Sequence, residues 1–266
     1  MKKLQVASIQ NRPLFGDIRQ NLHDLMGLLP PGCDLAVLPE LCATGYQFRN
    51  RDEVMDLAES VHPDTEPGPI TTRLMEAARA SGTTIVAGVA EREGDRAYNS
   101  AVLVRPDGNR EIYRKLHLFM DEKRLFDPGD RPLGVFEACG VQVGMMVCFD
   151  WLFPEVARTL TLRGAQILAH PSNLVLPFAP EAMKTRCLEN RVFALTANRV
   201  GRECRTDTPL EFIGLSQVMS PQGKKLAALD RTEAGAAVAV IEMAETDKMI
   251  TAANDVLADR RPEFYL

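Results

Sequence analysis

No apolar run in the 266-residue chain approaches the roughly 18 residues that suggest a membrane span. The start, Met1-Lys2-Lys3, carries the charge of a secretory leader. However, Gln5 and Ser8 interrupt Leu4 to Ile9, and Gln10-Asn11-Arg12 follows at once. The apolar region of about 7–15 residues that a leader needs is missing, so a cytoplasmic protein with no membrane partner is expected. Positive charge is not in excess: 31 Lys and Arg stand against 36 Asp and Glu, a formal net charge of -5. Non-specific nucleic-acid binding requires a basic footprint, so nucleic acid is excluded as a partner class. Cysteine is scarce and unpatterned. Cys33, Cys42, Cys139, Cys148, Cys187 and Cys204 form no C-x-x-C pair and no zinc spacing with the four histidines, so no metal site is expected. The chain shows no internal repeat, no low-complexity segment and no glycine-rich phosphate loop. Gly140 and Gly144 make no dinucleotide fingerprint.

What is present is an ordinary globular composition, 45% hydrophobic and 25% charged, with no shift that would mark a second domain. A single domain over 1–266 is expected. Apolar periodicity predicts strands at 4–9, 35–38, 84–89, 98–104, 111–115, 141–147 and 166–170. It predicts helices after the N-cap Asp17, at 51–60, from Ile70 to a stop at Gly82, at 154–163 and at 180–191. Four further strands are expected at 193–200, 212–220, 224–229 and 236–241, with Pro221-Gln-Gly223 as a hairpin turn. Strands alternate with helices early and hairpins enter later. That pattern implies an α/β fold with mixed sheets covered by helices.

One stretch stands out, Val141-Gln-Val-Gly-Met-Met-Val-Cys-Phe-Asp-Trp-Leu-Phe-Pro-Glu155. It reads as strand, sharp turn, helix, with Cys148 at the turn and Pro154 in the first helical turn. Unpaired N–H groups at such a junction favour the ionised thiol, which makes Cys148 a candidate nucleophile. A nucleophilic thiol needs a base or a cation beside it and donors for the developing oxyanion. Glu40, just after the apolar strand 35–38, is either a helix-capping group or a carboxylate held in a cleft. Lys115 ends a strand, where a lysine is ordinarily a solvated edge charge. His170 also ends a strand, before Pro171-Ser-Asn173, and His117 follows Lys115 closely. Spacing alone leaves a Cys–Glu–Lys set and a Cys–His set as rivals.

Pro39-Glu40 with Thr44-Gly-Tyr46, Tyr113-Arg-Lys115-Leu-His-Leu-Phe119 and Val147-Cys148-Phe-Asp-Trp-Leu-Phe-Pro-Glu155 resemble, in that order, the nitrilase superfamily of carbon–nitrogen hydrolases. His170-Pro-Ser-Asn173, Glu189-Asn-Arg191 and the tail Asp259-Arg-Arg-Pro-Glu-Phe-Tyr265 extend the likeness over essentially the whole chain, toward its short, single-domain prokaryotic nitrilase/amidase-like branch. The resemblance implies a four-layer α-β-β-α sandwich of two mixed β-sheets, pairing as homodimers through helical faces, with the tail 254–266 docking on the partner subunit. It implies a catalytic Glu40–Lys115–Cys148 triad with Glu122 as a second glutamate, adjacent to Asp121. Tyr46, Phe119, Phe149, Trp151 and Asn173 would contact substrate, with Phe178 at the rim. No metal or organic cofactor is needed, because side chains supply nucleophile and charge stabilisation.

The implied chemistry is acyl transfer through a cysteine thioester. A small aliphatic amide is the first expected substrate and a small nitrile the alternative. An N-carbamoyl amine is less favoured, because Phe149-Asp-Trp-Leu-Phe153 holds no cation for a carboxylate. Two readings of another class are a binding protein that kept the fold and a redox-sensing thiol protein with Cys187 or Cys204 as its resolving partner.

Overall fold

The structure, a computed structural model, describes residues 2–265; Met1 and Leu266, the ends of the predicted domain and tail, lie outside them. In chain order, the first half runs β1 (Lys3–Gln10), α1 (Ile18–Gly27), β2 (Leu35–Val37), α2 (Arg51–Leu57), α3 (Pro69–Ser81), β3 (Thr84–Glu93), β4 (Arg96–Val104) and β5 (Arg110–Arg114). The second half begins with α4 (Glu122–Leu125), β6 (Val135–Ala138) and β7 (Val141–Met145). A 3₁₀ turn, Cys148–Leu152, then leads to α5 (Pro154–Leu162), β8 (Ile167–Pro171), α6 (Ala179–Asn190) and β9 (Phe193–Ala197). The chain finishes with β10 (Val200–Glu203), β11 (Leu210–Ile213), β12 (Gln217–Met219), β13 (Lys225–Ala228), β14 (Gly235–Glu242), β15 (Met249–Thr251) and β16 (Asn254–Asp255).

Two six-stranded mixed sheets result, ordered β14-β1-β2-β3-β4-β5 and β13-β12-β9-β8-β7-β6. Each has three parallel strands at its centre, β1-β2-β3 and β7-β8-β9, flanked by antiparallel ones. The central strands are apolar on both faces, as buried parallel strands must be: all three residues of β2 and all five of β8 are buried. One face of the first sheet (Val6, Leu35, Val37, Leu103) packs on the second (Val143, Met145, Ala169, Leu195). Its other face (Ile9, Ala36, Ile85, Val104) receives Leu22 and Leu25 of α1 and Ile70 and Leu74 of α3. Helices α5 and α6 cover the second sheet through Val156, Leu160, Met183 and Cys187. This is the expected α-β-β-α sandwich. Among the described residues no helix is long and apolar enough to cross a membrane.

The structure departs from the sequence reading at particular places. The strand expected at 193–200 is broken into β9 and β10. The Asn198 side chain bonds Leu174 N and Gly214 O there, instead of leaving the backbone free to continue. The strand expected at 212–220 is likewise β11 and β12, because Gly214 and Leu215 take left-handed backbone angles of 61° and 62°. Strand β6 and the single-turn α4 went unread. The helix expected at 51–60 stops at Leu57. Glu59, left free of it, caps α3 by accepting from the backbone N–H of Ile70 and Thr71, each at 2.7 Å.

Buried thiols set a pH limit on this packing. Burial pushes Cys33 and Cys42 from 9.0 up to about 12. An acid with a higher pKa folded than unfolded stabilises the fold fully below the unfolded value. It loses that contribution as pH rises toward the folded one. The unfolding midpoint is therefore expected to fall as pH climbs from 9.0 toward 12, and to fall less in a Cys42→Ala variant. Thermal unfolding followed by circular dichroism across that range checks this.

Candidate active site

The site lies where strand ends of the two sheets meet. Beyond β2 the chain stays zipped to β3: Gly88 N donates to Pro39 O at 3.0 Å, and Cys42 N to Gly88 O at 3.0 Å. Gly88 has no substitute in this register. A Cβ there would lie 2.3 Å from Glu40 Cα and 2.8 Å from Leu41 N. The close approach places Glu40 in the interior, with its side chain wholly buried.

Lys115, directly after β5, is also wholly buried, so it is no solvated edge charge. Its ammonium donates to Glu40 Oε1 at 2.7 Å and sits 2.8 and 2.7 Å from the two oxygens of Glu122. Glu122 opens α4 and is buried, whereas its neighbour Asp121 is exposed. The Tyr46 hydroxyl donates to Glu122 Oε1 at 2.6 Å, and Phe119 N donates to Oε2 at 3.2 Å. Asn99 of β4 donates to Glu40 Oε1 at 2.7 Å. Glu40 Oε2 is buried and has no hydrogen-bond partner among the described residues.

Cys148 begins the 3₁₀ turn with φ of 42°, a left-handed conformation that costs a non-glycine residue about 1–2 kcal/mol. Buried Asp150 holds that elbow. Its Oδ2 accepts from Val147 N at 2.8 Å and from the Tyr113 hydroxyl at 2.7 Å. Its Oδ1 lies 2.7 Å from His117 Nδ1. One carboxylate thus joins the segment around Lys115 to the segment carrying the thiol. His170 Nε2 lies 2.9 Å from the carbonyl oxygen of Cys148 and its Nδ1 3.1 Å from Thr196 Oγ1. Both ring nitrogens are therefore engaged away from the thiol, and His117 is turned to Asp150. The Cys–His arrangement is not the one assembled.

The electrostatics reverse the expectation of an acidified thiol. Burial raises the Cys148 pKa well above its ordinary value, and the charge of Glu40 adds to this. Lys115 and a hydrogen bond from the Asn173 backbone oppose them without prevailing. The elbow does not bring Cys148 to an open helix start; it buries the thiol beside carboxylates. Burial works against the Lys115 ammonium, but Glu122 and Glu40 outweigh it and raise its pKa. Glu122 is raised by burial, against the pull of Lys115. His170 is lowered by burial and stays neutral.

A narrow hollow opens on Cys148, walled by Phe119, Phe149, Trp151, Asn173 and Leu174. Four of the five expected substrate contacts are therefore together. Tyr46 is elsewhere: it lines a neighbouring hollow that also reaches Glu122. Phe178 is 63% exposed and is not part of either wall. Asn173 donates to Glu40 O at 2.9 Å. The residues missed from the sequence are Asn99 and Asp150. A polar Asn inside the wholly buried run 97–104 was the one signal available for the first. Among the described residues no group of three or more His, Cys, Asp or Glu is placed to hold a metal ion.

The same four-layer architecture occurs in Nit3 of Saccharomyces cerevisiae, a member of the nitrilase superfamily, with a TM-score of 0.82, 23% identity and 92% of each chain covered. The chain matches the carbon–nitrogen hydrolase family over residues 5–251 and belongs to it, so it is a hydrolase of the nitrilase superfamily. It is 49% identical to a Pyrococcus abyssi protein named nitrilase, over 98% of this chain and 99% of that one. It is also similar to a variant of the amidase from Nesterenkonia sp. AN1, with a TM-score of 0.81, 27% identity, and coverage of 98% of this chain and 94% of that one. In that structure the acetamide moiety of fluoroacetamide is covalently added at the active-site cysteine.

Because Gly88 sets the position of Glu40, Gly88→Ala is expected to destabilise the fold by about 1–3 kcal/mol through overpacking. It should also depress turnover in the molecules that remain folded. An unchanged kcat in the folded fraction, measured beside thermal unfolding, would contradict that placement.

Proposed function

We propose that the protein hydrolyses a small nitrile to the carboxylic acid and ammonia through a thioester on Cys148. The observation that carries the choice of nitrile is the 49% identity, over nearly the full length of both chains, to the Pyrococcus abyssi nitrilase. It moves preference away from the amide, the first expectation from the sequence. A small amide is the second reading, favoured by the likeness to the Nesterenkonia amidase.

The chemistry follows from the cluster. Cys148 rests as a thiol, so its proton must leave as sulfur attacks. The unpartnered Glu40 Oε2 is the base that takes it, while Oε1 stays anchored by Lys115 and Asn99. Sulfur bonds to the nitrile carbon, and the proton passes through Glu40 to nitrogen, giving a thioimidate. Water adds to that carbon and ammonia departs, leaving the thioester. A second water, activated by Glu40, releases the acid and returns the proton to sulfur. An amide enters the same route one water later. The Lys115 ammonium and the Phe149 backbone N–H stabilise the charge that develops on the attacked group. Loss of one such donor costs about 10²–10³-fold in rate. Glu122 and Tyr46 hold the ammonium in place. The walls of Phe119, Phe149, Trp151 and Leu174 suit a small apolar acyl group.

Assembly as a homodimer is part of the same proposal. Leu152, Leu162 and Leu188 stand exposed on the outer helical side, and the tail ends in exposed Phe264 and Tyr265. Arg260 and Tyr265 border a hollow with Arg158 of α5 and Glu189 of α6, next to those leucines in sequence. The domain then runs over the whole chain, with 254–266 completing the partner.

Cys148→Ala is expected to abolish ammonia release from every member of a panel of short aliphatic nitriles, amides and carbamoyl amines. The native enzyme should release acid from nitriles with little free amide. Turnover of amides alone would sink the nitrile reading, and retained turnover in Cys148→Ala would sink the thioester. Truncation before Asn254 should lower the mass seen by light scattering; an unchanged mass would rule out the tail as a dimer element.

A further inference from the structure

Arg199 and Glu203 form another deeply buried ion pair, with side chains only 1% and 6% exposed. Arg199 directly precedes β10 and Glu203 ends it, and Arg199 Nη1 pairs with Glu203 Oε1. The guanidinium also lies 4.0 Å above the ring of Phe212 on β11, and its Nη2 donates to Pro13 O at 3.3 Å. A buried pair of this kind is weak evidence for stability, because desolvation of both charges offsets their attraction. What the pair holds is more telling. Glu203 Oε2 accepts from the backbone N–H of Gln47 at 2.7 Å, and both its oxygens lie 3.2 Å from the N–H of Tyr46.

The approach needs Gly45, which has φ of 84°. A Cβ there would fall 3.2 Å from Glu203 Oε1 and 2.9 Å from the Phe15 ring. On the other side, Phe212 packs edge-on against the Tyr46 ring, with centroids 5.8 Å apart at 80°. Tyr46 is thus held by its main chain through Glu203 and by its ring through Phe212, and Arg199 touches both holders. Its hydroxyl reaches Glu122 Oε1 at 2.6 Å, the same oxygen that Lys115 Nζ meets at 2.8 Å.

We propose that Arg199 and Glu203 are positioning residues for the hydrolysis: they fix segment 45–47 so that the Tyr46 hydroxyl stays on Glu122 and Glu122 stays on Lys115. This rests on the reading in which Lys115 stabilises charge on the group attacked by Cys148. The pair touches no substrate and acts through Tyr46.

The test is a double-mutant cycle in the full-length enzyme with Glu203→Gln and Tyr46→Phe, scored by ammonia release from butyronitrile and butyramide. Each single change is expected to lower kcat about tenfold to a hundredfold, the worth of a buried hydrogen bond to a charged group, with KM moved far less. Both should shift the same limb of the kcat–pH profile. The double variant is expected to match the single ones, because the second change removes nothing further once Tyr46 has lost its hydroxyl.

Losses that multiply in the double variant would overturn the proposal, as would a native kcat in folded Glu203→Gln. If Tyr46→Phe costs nothing while Cys148→Ala stays inactive, the positioning role falls and the thioester reading stands. Should Glu203→Gln not fold, Phe212→Leu runs the same cycle with the ion pair intact. Its kcat loss should vanish in the Tyr46→Phe background, and a loss that persists there overturns the proposal.

Discussion

The site depends on one buried ammonium. Lys115 has no exposed surface, and its donors end on Glu40 and Glu122 at 2.7 to 2.8 Å. The idealised penalty for taking such an ion out of water is of order 20 kcal/mol, and even the relaxed cost is several. An ammonium is tolerated in such a place only with carboxylates on it. Two carboxylates on one ammonium leave negative charge in excess, and that excess reaches the neighbouring acids. Burial comes first among the causes that keep the Cys148 thiol and the Tyr46 phenol protonated, and Glu40 and Glu122 reinforce it. The resting site is therefore a quiet one.

Geometry follows from that constraint. Each charged group is held by backbone from a different strand end, and few of the holding contacts are local. Asn99 presents Glu40, Asp150 bridges Tyr113 and His117 to Val147, and Asn173 ties the Glu40 loop to the end of β8. The strained turn at Cys148 persists because Asp150 and His170 over-determine it.

How much of this was legible in the sequence depends on how local each signal is. Glu40 and Cys148 each come shortly after an apolar strand and Lys115 directly after a strand, and their ordered motifs carried the fold and the cluster. Glu122 was separable from Asp121 only by motif, and burial now distinguishes them. Asn99, Asp150 and Glu203 were not legible, because their meaning lies in partners 33 to 157 residues away or in backbone groups with no side-chain signature. The ionisation of Cys148 was misread for a related reason. A strand–helix junction suggests free N–H groups, while the burial and the carboxylates that outweigh them come from elsewhere in the chain. Strand breaks at Asn198 and Gly214 were hidden because apolar residues continue through them. The order of nitrile and amide was not in the motifs at all, since both converge on one thioester.

Strand β14 has a consequence for how the molecule comes into being. Residues 235–242 return to pair with all eight residues of β1, closing the edge of the very sheet that carries Glu40 and Lys115. The first sheet is therefore closed by contacts of long sequence separation, which form slowly. The completed edge joins Lys3–Gln10 to Gly235–Glu242, so the sheet that carries Glu40 and Lys115 is finished only when both segments have been made.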